Sequence, residues 1–234
     1  MTYLFEGAFK KWKQNLIFIT ISIIFWLIEF SYQQSFLGNN DLGISVLRAS
    51  AFTGITFISF ALLSSIIFKF RPALAKHWDI RRNFGVIGFI FIAIHVLTAT
   101  NILFMGNIAN ALFILDPFQN PVIFGLIAYP LLFIIAITST DWAVKKLGGK
   151  WKRVQQLVYF VYFLSVFHFL LVNPPAIMNL AGYLVMLLIV LVLIGELYFF
   201  YLVSKQRQFK NKSLYVGILI IALYIIIAYF AYFS

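Results

Sequence analysis

The chain has 234 residues, of which 63% are hydrophobic and only 11% charged, and its mean hydropathy is +0.97, a balance that excludes an ordinary water-soluble domain. Its formal net charge of +11 comes from basic residues between apolar runs, so it describes membrane topology and attraction to anionic headgroups, not nucleic-acid binding. With no cysteine, disulfides, thiolate metal sites, iron–sulfur clusters and cofactors attached through cysteine are all excluded.

Apolar runs of the roughly 20 residues needed to cross about 30 Å of hydrocarbon as a helix occur seven times, near 15–32, 47–68, 84–104, 121–140, 153–172, 178–202 and 214–233. The expected fold is therefore an all-α integral membrane bundle of about seven transmembrane helices. The first run, within KKWKQNLIFITISIIFWLIEF, lacks a small-residue cleavage site and is kept as a helix instead of a removable signal. Basic residues precede span one (Lys10, Lys11, Lys13), separate spans two and three (Lys69, Arg71, Lys76, Arg81, Arg82), follow span four (Lys145, Lys146, Lys150, Lys152, Arg153) and follow span six (Lys205, Arg207, Lys210, Lys212). All four groups fall on one side, leaving Arg48 alone on the other. The positive-inside rule then puts the N-terminus in the cytoplasm and, after seven spans, the C-terminus outside a cell inner (cytoplasmic) membrane.

Within this apolar background, histidine is the residue type that asks for a reason. Span three carries His95 and span five carries His168; at about 1.5 Å of rise per residue they lie roughly 17 Å and 22 Å from the inner end of their helices. Two imidazoles at similar depth on different helices suit a bis-histidine haem, one ligand on each face of the iron. The same pair is open to other readings: packed core histidines, a proton relay, or a metal site, of which zinc is the weaker because it takes three or four ligands. Gly88 and Ala99 share a face with His95, and Ser165 stands one turn before His168, so all three leave room beside the ligands or simply let helices approach. His77, in RPALAKHWDIRR, is expected at headgroups or in water. Glu196 in span six and Glu29 in span one either relay protons, Glu196 at a quinol site, or snorkel to the interface.

The stretch RRNFGVIGFIFIAIHVLTA resembles the third-helix motif of the ferric reductase-like transmembrane domain, in which an Arg pair precedes a Gly and then a haem histidine. ITSTDWAVKKLGGKWKRVQQLVYFVYFLSVFHFLLV is similar to the end of helix four, the loop and helix five of that domain. Weaker similarity reaches back through RASAFTGITFISFALLSSIIFKFRP. Within the family, the pattern is most similar to the haem-binding membrane subunits of periplasmic methionine sulfoxide reductase systems. The resemblance divides the chain into 1–44 (helix one and an outer loop), a haem-binding core at 45–175 and helices six and seven at 176–234. It implies that His95 and His168 are the axial ligands of one haem b. Relatives carry a further histidine thirteen residues before the position of His168, and this chain has Gln155 there. An amide ligates haem iron poorly, so the second, inner haem is expected to be missing or differently ligated.

No G-x-G-x-x-G follows a strand pattern, and the sequence stops at Ser234 after the seventh run. Electrons are therefore expected from a quinol or a flavoprotein partner, with FMN a further possible cofactor and Arg71, Arg81, Arg82 and Arg153 as candidate flavin or partner contacts. The acceptor implied is an extracytoplasmic reductase partner or ferric iron, making the chain an electron-transfer subunit of oxidoreductase type. Two other classes stay open: a proton-coupled transporter using the histidines as relays, and a non-redox scaffold of the same fold.

Overall fold

The computed structural model describes residues 2–37 and 41–206. Among the described residues the secondary structure is helical: α1 (Thr2–Ser31), α2 (Leu42–Phe70), α3 (Trp78–Ile102), α4 (Val122–Ile137), α5 (Asp141–Leu147), α6 (Trp151–Val172), α7 (Pro174–Ile177) and α8 (Leu180–Gln206), joined by short π and 3-10 turns. Five helical segments are long and apolar enough to cross a membrane, and α4 is a shorter apolar helix. The seventh predicted span, with Arg207, Lys210 and Lys212, lies outside the described residues.

The helix ends depart from the apolar runs for identifiable reasons. Trp78–Asn83 adds polar turns to the start of α3, because a helix continues through the headgroup region where an apolar window no longer sees it. The fourth run stops at Ile137, short of the expected 140. There the Thr138 and Ser139 hydroxyls donate to the carbonyls of Ile134 and Ile135 (2.7 and 2.8 Å), and Thr140 caps the next helix by accepting from the Ala143 N–H at 3.2 Å. At the opposite end, Asp41 caps α2 by accepting from the N–H groups of Gly43 and Ile44.

Helix α2 is the axis of the bundle. Two-thirds of its apolar window is buried, and α1, α3 and α8 all pack on it, while α4 packs on α6. In lipid no hydrophobic force drives helices together, so close approach depends on small residues and on hydrogen bonds. A Cβ on Gly88 would stand 2.7 Å from the Ile58 side chain and 3.0 Å from the Gly54 carbonyl, and one on Gly54 would stand 2.7 Å from Ile92. These two glycines bring α2 and α3 into backbone contact.

A buried bond joins the two halves. The Ser59 hydroxyl donates to the Ile55 carbonyl at 2.7 Å, which uses its one hydrogen, so at 2.8 Å Tyr162 Oη must be the donor to Ser59 Oγ. Tyr162→Phe is expected to cost about 1 kcal/mol, seen as a lower Tm of the solubilised protein with helix content unchanged.

Candidate functional site

The two intramembrane histidines meet. His95 belongs to the α2–α3 pair and His168 to the α4–α6 pair, and their ring centres are 6.1 Å apart with planes at 72°. Each Nδ1 is held from behind by a backbone carbonyl: His95 by Leu47 on α2 at 3.1 Å, and His168 by Pro121 at the start of α4 at 3.2 Å. A carbonyl oxygen only accepts, so each Nδ1 carries the hydrogen and donates it. That leaves the Nε2 lone pair of each ring free to bind a metal.

The separation is the one a metal held between the rings would need. Two metal–nitrogen bonds of about 2 Å, plus roughly 1 Å from each nitrogen to its ring centre, place imidazoles on opposite faces of one metal about 6 Å apart. Nor is a zinc-type cluster available: no group of three or more His, Cys, Asp or Glu side chains is gathered among the described residues.

Both rings line a cavity of about 270 Å³ between the two helix pairs. Of the small residues singled out in the sequence, Ala99 and Ser165 line it as well. Gly88 does not; its hydrogen side faces Ile58 and Gly54 in the α2–α3 contact. Two residues that the sequence did not single out complete the site. Gly125 on α4 lies against His168, where an added Cβ would come within 3.0 Å of ring atoms Cε1 and Nδ1. Arg48, the isolated basic residue opposite the basic end, lines the same cavity. Its isolation on that side was the signal that marked it.

The four arginines expected near a flavin do not form one cluster. Arg71 and Arg153 are exposed. Arg82 is ion-paired with Asp141 and lies against the Trp78 ring, while Arg81 lines a separate cavity at the basic end. His77 is exposed in the turn before α3. Glu29 is buried, 8% exposed, and accepts from Gln33 Nε2 at 2.7 Å. Gln155 Nε2 lies 3.2 Å from the Ile135 carbonyl, 3.2 Å from Thr138 Oγ1 and 3.4 Å from Ser139 Oγ. It ties α6 to the end of α4.

Fold and site together define a multi-pass helical membrane protein with an intramembrane cavity faced by two histidines. Residues 49–166 match the family described as ferric reductase like transmembrane component, and the chain belongs to that family. Among curated proteins it is 32% identical over 175 residues to the magnetosome protein MamZ of Magnetospirillum gryphiswaldense, covering 68% of this chain and 25% of that protein. It is 32% identical over 95 residues to the protein-methionine-sulfoxide reductase heme-binding subunit MsrQ of Agrobacterium fabrum (39% of this chain, 42% of the relative). With the MsrQ of Rhizobium meliloti it shares 29% identity over 118 residues (50% and 54%). The match thus spans a quarter of the MamZ protein and about half of these MsrQ proteins. No solved structure matches the chain.

Proposed function

We propose that this chain is a haem b-binding transmembrane electron-transfer protein that takes electrons from a quinol or flavin donor and delivers them to an extracytoplasmic acceptor, a partner reductase or ferric iron. The observation that carries the reading is the pair of imidazoles 6.1 Å apart across a cavity, each with Nδ1 tied back and Nε2 free. The naming of the MsrQ relatives as heme-binding subunits supports it. The basic end is assigned to the cytoplasm by the positive-inside rule.

When bound, haem supplies a one-electron iron couple. The protein's part is to fix its ligands and its setting. The Leu47 and Pro121 carbonyls hold each ring in one tautomer and one plane, and hydrogen bonding at Nδ1 makes Nε2 a stronger donor. Gly125, Ala99 and Ser165 leave room beside the rings, and Arg48 is the cation available to a propionate. A proton-relay role is less well supported, because neither Nε2 has a hydrogen-bond partner among the described residues and no proton chain joins the two rings.

The test is spectroscopic. Purified protein is expected to show a low-spin Soret spectrum. Ligand planes fixed at 72° lift the near-degeneracy of the iron orbitals far less than parallel planes do, so electron paramagnetic resonance should give a highly anisotropic low-spin signal. Protein purified after haem supplementation with no Soret band would refute the function, and a rhombic signal of the parallel-plane type would refute the ligand geometry. Gly125→Val presses on the His168 ring; overpacking of about 1–3 kcal/mol is expected to weaken haem affinity roughly tenfold or more, measured by haem titration of the apoprotein.

A further inference from the structure

The larger space in the molecule is not at the histidines. A cavity of about 710 Å³ lies at the basic end among α2, α6 and α8. Lys69, Glu196 and Tyr159 line it, together with Trp151, Phe163 and Phe200. Lys69 Nζ donates to both Glu196 oxygens at 2.7 and 2.6 Å and to Tyr159 Oη at 3.2 Å, and it sits 4.7 Å from the centre of the Phe199 ring. The pair is largely withdrawn from solvent, with side chains 26% and 18% exposed. Holding two charges in a partly apolar setting has a desolvation cost, and a cavity meant only for acyl chains would need neither.

We infer that this cavity binds the headgroup of a membrane quinol, with the Glu196 carboxylate accepting from its ring hydroxyl and Lys69 positioning that carboxylate. The inference rests on the electron-transfer reading above. All three Lys69 hydrogens are engaged by Glu196 and Tyr159, so Lys69 positions the carboxylate, and it is Glu196, acceptor-only with lone pairs to spare, that suits a quinol hydroxyl. Aromatic walls match the planar ring.

Position completes the argument. Tyr162 and Leu62 line this cavity, whereas Ser165 and Ile55 line the one at the histidines. At their nearest linings the two cavities are three residues of α6 and seven of α2 apart, about 4.5 and 10 Å along the helices, and Tyr159 and Lys69 stand a further three and seven residues toward the basic end. A ring bound here therefore fills the gap that a protein with no inner haem leaves between the cytoplasmic surface and His95 and His168. Oxidising a quinol to a quinone breaks two O–H bonds and releases two electrons and two protons. The two electrons would have to leave one at a time, in two turnovers, toward the one-electron acceptor that His95 and His168 would hold. The first proton goes to the Glu196 carboxylate, and the second follows once Glu196 has discharged to water at the basic end. Glu196 lies on α8, beyond the 49–166 region that defines the family.

The test uses full-length protein in nanodiscs and an azido-ubiquinone photolabel, with peptides mapped by mass spectrometry. Labelling is expected on 155–163 and 192–200, competed by decylubiquinone and not by excess phospholipid. Labelling elsewhere, or competition by phospholipid alone, overturns the site. This readout needs no haem, so it stands or falls separately from the Soret test. In haem-loaded protein, Glu196→Gln and Lys69→Met are each expected to slow haem reduction by decylubiquinol at least tenfold, while the Soret band and reduction by dithionite stay unchanged. Wild-type rates in both variants would overturn the role of the pair. Should a variant fail to fold, the wild-type photolabel map decides the matter alone.

Discussion

Replacing either His95 or His168 by alanine is expected to leave the purified protein without low-spin haem. Each ring is held by one backbone carbonyl and faces the other across 6.1 Å, so each is the sole ligand offered to its side of the metal. Described residues lining the cavity include no third imidazole, thiolate or carboxylate. No methionine lines the cavity, and the lining phenol, Tyr129, is stacked on the Phe89 ring, centres 6.2 Å apart and planes at 14°. The measurement is the pyridine haemochrome content and visible spectrum of each variant after identical purification. A full complement of low-spin haem in either one would rule out the bis-histidine arrangement. Since both rings are only partly buried, truncation opens a cavity that already exists, and the helical fold is expected to survive.

How much of this was legible in the sequence depends on which force set each feature. Span length and apolarity reflect the bilayer directly, and so α2, α3, α6 and α8 fall where the runs do. The depth of the histidines was equally readable, because rise per residue is constant in a helix, and the structure puts the two rings at one level. Small residues were harder. Gly88 and Gly125 look alike in the sequence, yet one faces α2 and the other faces His168; only the rotation of each helix about its axis decides which. Glu29 shows the same limit: its position near a helix end suggested an interface residue, but Gln33 one turn on folds back over it and both are buried. Arg81 and Arg82 are neighbours in sequence and point into different environments, one toward a cavity and one to Asp141. Tertiary partners across 59 and 127 residues, as in Arg82–Asp141 and Lys69–Glu196, leave no local trace at all.

The protein is also expected to carry about one haem per chain, and Gln155→His is expected not to add another. Along α6, Gln155 stands thirteen residues, roughly 20 Å of helix, before His168, at the position where the family resemblance implies a further histidine. Here its amide hydrogens are turned to the Ile135 carbonyl and the Thr138 hydroxyl, both at 3.2 Å, and Trp151 Nε1 donates to the Thr138 carbonyl at 2.9 Å beside it. Gln155 lines the cavity of about 710 Å³ among α2, α6 and α8 and, between the helix pairs, a space of about 60 Å³, and no imidazole lines either one. Facing it across that space are Arg81, Arg82 and Gly85, none of which ligates iron. His77, the third histidine, is exposed in the turn before α3. A histidine placed at 155 would therefore have no opposite imidazole, and would also remove the amide that secures the end of α4. Pyridine haemochrome analysis against protein mass should return about one haem for wild type and for Gln155→His alike. Two haems in wild type would mean that the basic end opens around a second macrocycle and would bring His77 forward as its ligand; two in the variant alone would mean that the missing imidazole was the whole obstacle.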